Sequence, residues 1–238
     1  MIDFAKFRVV TFDCYGTLIN WEQGINNLVK PWVAELDPQL PPDLLLSSFA
    51  LMQAKFQQVR PTLLYSDVMR RTWGDIEGTF GWENDPAHAE AFATAVGEWP
   101  PFPDTVESLR YLERFYKLGI LSNVDNVSLA RTLKLLEVPF ALTVTAEDAG
   151  VYKPSLELFE LAFERLADMG IAKDEILHVG QSKHHDVNPG RKLGLTTVWV
   201  NRRHGQKGSG ATLATDANPH LTVTSLAELV ALMKEQTD

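Results

Sequence analysis

The stretch Val9-Val10-Thr11-Phe12-Asp13-Cys14-Tyr15-Gly16-Thr17-Leu18 begins as a continuous apolar, β-branched run and then delivers a carboxylate and a glycine. Continuous apolarity, instead of alternation, predicts a strand over residues 8–13 that is buried on both faces, as in a parallel sheet covered by helices. Gly16 permits the tight backbone path that a strand exit needs. Ligands of such sheets bind in the crevice beyond the carboxyl ends of the strands, so this pattern presents Asp13 to a crevice.

Downstream the rhythm is first helical and then alternating. Residues 21–36, 43–59, 65–80 and 86–97 carry helical periodicity and little strand signal, which predicts a helical insertion. The run Trp99-Pro100-Pro101-Phe102-Pro103 cannot be helix interior and marks a stiff boundary. Beyond it, Asp104 followed three residues later by Glu107 reads as a capping box opening a helix through Tyr116. Strands are expected at 118–121, 140–145, 176–179 and 196–200, with helices at 126–136, 154–169 and 186–193 between them. This alternation predicts a doubly wound parallel α/β sheet. Residues 204–220, with Gly205, Gly208, Gly210, Asn218 and Pro219, read as an irregular loop before a last helix at 225–233.

Composition narrows the function. A chain of 238 residues with 22 Lys+Arg against 31 Asp+Glu, net charge −9, opposes nucleic-acid and anionic-membrane partners, which rely on basic patches. Its one cysteine, Cys14, precludes an intrachain disulfide. The first residues lack the basic and apolar regions of a signal peptide, and no apolar run approaches the ~20 residues of a membrane span. A cytoplasmic protein acting on a small molecule is the expectation.

The strand ends carry the chemistry: Asp13 after the first, Ser122 and Asn123 after the second, Lys153 after the third and Asp186 beyond the fourth. A carboxylate attacks carbon or phosphorus to give a covalent ester or acyl-phosphate when cations and donors hold it ionised and aimed. Lys153 supplies the positive charge. Ser122, Asn123, Thr17 and backbone amides are expected to bind an anionic substrate group.

These residues fall in four ordered motifs that resemble the haloacid dehalogenase superfamily: Asp13-Cys14-Tyr15-Gly16-Thr17-Leu18, Leu121-Ser122-Asn123, Tyr152-Lys153-Pro154, and Gly180-Gln181-Ser182 through Asp186. The resemblance implies a Rossmann-like core over residues 1–20 and 98–238, and a helical cap domain over 21–97 that closes on the crevice and excludes water. The superfamily's phosphatases carry Asp two residues after the nucleophile and an acidic fourth motif for magnesium, where this chain has Tyr15 and Gln181. Asp13 and Asp186 alone make a poor magnesium site, which points to chemistry without metal or other cofactor.

Tyr15 is similar to the 2-haloacid dehalogenases, in which the aspartate attacks a halogen-bearing carbon and water hydrolyses the ester. Halide leaves without a proton, so the missing acid costs little. The resemblance thus implies a small carboxylic acid as substrate, Asp13, Lys153, Asp186 and Ser122 as catalytic residues, and Tyr15, Thr17, Asn123, Gln181 and His185 around the substrate; it also suggests a homodimer. Three departures stand out. Gln181, Lys183, His184 and His185 crowd the approach to Asp186, where the fourth motif of that group has small polar residues. Phe159 replaces a tyrosine six residues after the lysine, and the stretch Phe49-Ala50-Leu51-Met52-Gln53 lacks the cap arginine, leaving Arg60 or Lys55 as substitutes. The chain also resembles a hydrolase of azetidine-2-carboxylate, whose nitrogen leaves better when protonated; His184 or His185 is then the acid. A magnesium-dependent phosphatase and a non-catalytic binding module are the further alternatives.

Several residues have a plainer reading. Asn123 and Asp186 are also good helix caps. Tyr15 can serve through its backbone and ring alone, His178 as a satisfied core histidine, and Arg202 and Arg203 as solvated charge or as anion ligands. Consecutive His184, His185 and Asp186 diverge in direction and make an unpromising zinc site.

Overall fold

The computed structural model describes residues 2–206, 213 and 215–237. In chain order the elements are β1 (Val9–Phe12), α1 (Trp21–Leu36), α2 (Pro42–Gln57), α3 (Tyr65–Phe80), α4 (Pro86–Thr94), α5 (Thr105–Leu112), β2 (Lys117–Ser122), α6 (Asn126–Leu136), β3 (Leu142–Thr145), α7 (Ala146–Ala149), α8 (Glu157–Ala167), β4 (Ile176–Gly180), α9 (Asn188–Lys192), β5 (Thr196–Val200), β6 (Leu221–Val223) and α10 (Leu226–Thr237). The six strands form one sheet in the order β3-β2-β1-β4-β5-β6. Every pairing is parallel.

β1 is central, and its four residues are all buried, as their unbroken apolarity requires. The strand order reverses there, with β2 on one side and β4 on the other, so the topological switch point lies directly beyond Phe12. Asp13 extends the β4 ladder by one bond, its N–H donating to Val179 O at 3.0 Å, which fixes where its side chain emerges.

Helices α1–α4 interrupt the chain between β1 and α5. The two connections lie side by side: Asn20 N–H donates to Pro100 O at 2.8 Å and Phe102 N–H to Leu18 O at 3.0 Å. The prolines at 100, 101 and 103 suit this segment, because the strand-like return needs only the donors that remain. Inside the insertion Trp73, Phe49 and Phe92 are fully buried, with Trp32 and Trp82 packed around Trp73. These rings build a core for the insertion itself, while Trp21 and Tyr65 turn toward the crevice.

Every helix and strand expected from the sequence is present with shifts at its ends; the one-turn helix α7 was not expected, and three further corrections stand out. β6 was not expected: three residues, one of them exposed, are too short for a period to register. The capping box does not form. Asp104 makes no side-chain bond to its own helix α5; it accepts from Leu226 N at 2.7 Å and Ala227 N at 3.1 Å, capping α10 instead, and pairs with Arg202 at 2.7 Å. The stretch expected as one helix from 186 is a π-helical turn, Lys183–Val187, running into the short α9. Of the glycines in the 204–220 loop, Gly208 and Gly210 lie outside the described residues.

Candidate active site

Asp13, Lys153 and Asp186 meet where β1, β4 and the segment after β3 converge. Lys153 Nζ donates to Asp13 Oδ1 at 2.9 Å, to Asp186 Oδ1 at 2.6 Å and to the Leu121 carbonyl at 2.8 Å. Those three bonds use all the N–H donors an ammonium has. Lys153 and Asp186 are each 1% exposed and Asp13 8%, so the site is one buried cation between two carboxylates.

Burial costs a charge several kcal/mol unless partners compensate, and the two carboxylates are compensated unequally. Burial lifts Asp13 above its ordinary value, against the pull of Lys153 and Thr17. Burial also works against ionised Asp186, but the Lys153 charge and the facing His178 overcome it and hold its carboxyl well below the usual range. Lys153 is held above its ordinary value, the two carboxylates outweighing its burial. Asp186 is thus the permanent counter-ion, and Asp13 is the carboxylate with the higher proton affinity.

The supporting shell is specific. Thr17 Oγ1 donates to Asp13 Oδ2 at 2.8 Å and accepts from Gln181 N at 2.8 Å, so its hydroxyl is spent on aiming Asp13. Asn123 and the Lys153 backbone exchange two bonds, Lys153 N–H to Oδ1 at 2.7 Å and Nδ2–H to Lys153 O at 3.0 Å. That side chain anchors the lysine segment and leaves the helix cap to Asp125, whose Oδ1 accepts from Ser128 N at 2.8 Å. Asp186 caps nothing either: Oδ2 accepts from Ser182 N at 3.2 Å within the π-turn. Gly180 makes this possible, since a Cβ there would come within 2.6 Å of the Asp186 carboxyl group. Gly16 has φ +98°, a conformation open to glycine, and faces Gln181 and Trp21.

A cavity of about 40 Å³ opens above Asp13, lined among others by Tyr15, Ser122, Asn123, Lys153, Gln181 and His185. Thr17 and Asp186 lie behind this lining. Ser122 is 1% exposed and its Oγ has no partner. The Tyr15 hydroxyl turns away, bonded to Thr132 Oγ1 at 2.7 Å, so the ring serves as wall. Burial drives the imidazole of His185 down to about 3, against the attraction of Asp186, and it is neutral at ordinary pH. His184 bonds Thr215 Oγ1 at 3.1 Å and does not line the cavity. His178 is buried behind the site, its Nδ1 3.0 Å from Thr11 Oγ1 and its ring edge-on to Phe159.

The insertion contributes what the sequence reading missed: Gln53 and Gln57 from the last turns of α2, Tyr65 opening α3, and Trp21 opening α1 all line the cavity. The two expected substitutes for a cap arginine do not. Lys55 pairs with exposed Asp75, and Arg60 donates to the carbonyls of Gln57 and Val59. Gln53 and Gln57 sit one helical turn apart, a spacing visible in sequence, but which face of α2 meets the sheet is decided by packing.

Arg202 and Arg203 are not solvated charge. Arg202 is held by Asp104 and donates to Thr17 O at 2.8 Å, and Arg203 pairs with Glu22. They line a second, outer cavity of about 320 Å³, separated from the inner one by Trp21 and Gln181, which line both.

Magnesium takes six oxygens in near-octahedral array and favours carboxylates. Here both carboxylates accept from one ammonium, Tyr15 and Gln181 bring none, and among the described residues no group of three or more His, Cys, Asp and Glu side chains lies close enough to hold a metal. The donor set does not fit that ion.

The switch point of the parallel sheet lies at a buried carboxylate braced by a lysine and a second carboxylate, an arrangement suited to an α/β hydrolase. The haloacid dehalogenase-like hydrolase family model matches residues 7–194, and the chain belongs to that family. It is 26% identical to (S)-2-haloacid dehalogenase 4A of Burkholderia cepacia over 85% of this chain and 86% of that protein. It is 30% identical to glyceraldehyde 3-phosphate phosphatase of Methanocaldococcus jannaschii over 56% of this chain and 57% of that one. In fold it matches L-2-haloacid dehalogenase from Xanthobacter autotrophicus, with TM-score 0.78 and 21% identity over 96% of this chain and 98% of that chain.

Proposed function

We propose that this hydrolase displaces halide from the α-carbon of a small 2-haloacid through an aspartyl ester on Asp13, without a metal. The observation that carries the reading is the state of position 15: where a proton donor to a leaving oxygen would stand, a tyrosine hydroxyl is turned aside onto Thr132. A leaving group that departs as a stable anion needs no such donor.

In the first step a carboxylate oxygen of Asp13 forms a bond to carbon as the carbon–halogen bond breaks, and halide leaves with the electron pair. Water then adds to the ester carbonyl, returning the Asp13 carboxylate and releasing a 2-hydroxy acid and a proton. Lys153 keeps Asp13 ionised and aimed, and Asp186 acts as a positioning residue for Lys153. The unpartnered hydroxyl of Ser122 binds the substrate carboxylate. Helices α1–α4, residues 21–97, serve as a cap domain over the core, since a cavity of about 40 Å³ must open to admit an acid.

Opening of an azetidine ring is less well supported, because a neutral His185 and a distant His184 leave the departing nitrogen without an acid. Incubation with L-2-chloropropionate, with and without EDTA, tests the proposal: chloride release insensitive to EDTA and abolished in Asp13→Asn is expected. Absence of chloride release, together with magnesium-dependent cleavage of a phosphate ester, would overturn it.

A further inference from the structure

The part of the inner cavity's wall contributed by α2 is made of neutral amides. Gln53 and Gln57 are 7% and 6% exposed. Gln53 Oε1 accepts from the Tyr65 hydroxyl at 3.3 Å, which fixes that amide, whereas Gln57 Nε2 is buried without a partner. A buried N–H donor left without a partner is destabilising, because it has lost its bonds to water without replacing them. Its retention beside the nucleophile is a sign of recognition.

Charge accounting points the same way. Lys153 is the one cation lining this cavity among the described residues, and its three donors are engaged by Asp13, Asp186 and Leu121. The buried group is then one positive and two negative charges, a net −1. The arginines lie in the outer cavity, across Trp21 and Gln181, each already paired with a carboxylate. A second anion facing α2 would be buried next to that negative charge with no counter-ion.

We infer that Gln57, with Gln53 and Tyr65, is a specificity-determining wall that selects acids whose second substituent is an uncharged hydrogen-bond acceptor, such as a hydroxyl, over diacids. The inference rests on the proposed binding of the substrate carboxylate at Ser122. The substrate's distal oxygen accepts from Gln57 Nε2, while its carboxylate stays on the sheet side.

Acids without a leaving group test this on the intact native protein, because Asp13 cannot react with them. Titration calorimetry with propionate, 3-hydroxypropionate and malonate is expected to rank 3-hydroxypropionate about tenfold tighter than propionate, the worth of one good hydrogen bond, with malonate weakest. In Gln57→Met, which keeps length and helix propensity, the tenfold preference disappears; in Gln57→Arg, malonate gains. A thermal melt establishes that each variant is folded. Persistence of the hydroxyl preference in both variants would overturn the inference and leave the acid site standing, as would malonate binding tightest through Arg203, read from Arg203→Gln. Failure of all three acids to bind would instead overturn the acid-binding reading itself, and this inference with it.

Discussion

Ser122 and Asp13 are held in states the fold alone would not choose. The Ser122 hydroxyl is buried with its bond unmade, so Ser122→Ala should stabilise the protein by about 1 kcal/mol, a rise in Tm of about 2–4 °C, while lowering kcat/KM by about 10- to 100-fold. Calorimetry beside a halide-release assay checks both halves; a variant that loses activity and stability together would make the hydroxyl structural. Asp13 and Asp186 should separate in pH. The folded-state proton affinity of Asp13 is raised, so activity falls as pH drops through a value above the ordinary 3.8, and protonation there favours the fold. Asp186 is lowered, so its contribution to stability is present above its unfolded value and is lost only as pH falls through the lower folded one. Activity is therefore expected to disappear at a higher pH than this contribution to stability, as parallel profiles of kcat/KM and Tm would register.

At the scale of elements, the most consequential link is between segments distant in sequence. Asp104 caps α10 and neutralises Arg202, which in turn donates to the Thr17 carbonyl in the loop after β1. Asp104→Ala removes a cap worth about 1 kcal/mol and strands an arginine that is 7% exposed, so a loss of about 3 kcal/mol or more is expected in urea unfolding. A loss under 1 kcal/mol would mean that Arg202 finds another partner. The same residue marks where local reading stops. Asp104 with Glu107 is a sound capping pattern, and it yields because a buried arginine and the first two amides of α10, more than a hundred residues away, take the same carboxylate, Ser225 reaching only Glu228 N. Strand ends behave differently: Asp13, Ser122 and Lys153 could be placed in one crevice from sequence because a parallel sheet sends every carboxyl end to the same edge. No such rule governs Gln53, Gln57 and Tyr65, whose arrival depends on how an inserted helix pair docks. β6, three residues long, offered no period to read.

For the whole molecule, the question is how a nearly closed crevice is entered. The insertion is fastened to the core near residues 62–66: Thr62 Oγ1 donates to Gly150 O at 2.6 Å, the Tyr152 hydroxyl to Leu63 O at 2.8 Å, and Ser66 N to Asp125 Oδ2 at 3.2 Å. Tyr152→Phe deletes the middle bond at a cost of about 1 kcal/mol, and amide hydrogen exchange over 62–66 should quicken about five-fold if this fastening governs local opening. Unchanged exchange would place the opening elsewhere. The fold also leaves the experimenter a means to watch the motion. Cys14 is fully buried in the loop that leaves β1, and burial with the Asp13 charge beside it holds its thiol well above the ordinary value, protonated and unreactive. Toward alkylating dyes the native protein is in effect free of cysteine. A thiol placed at Leu51 on α2 and another at Val127 on α6, both well exposed, would take a fluorophore pair without competition from the native residue, and the opening of the crevice becomes a distance read by energy transfer.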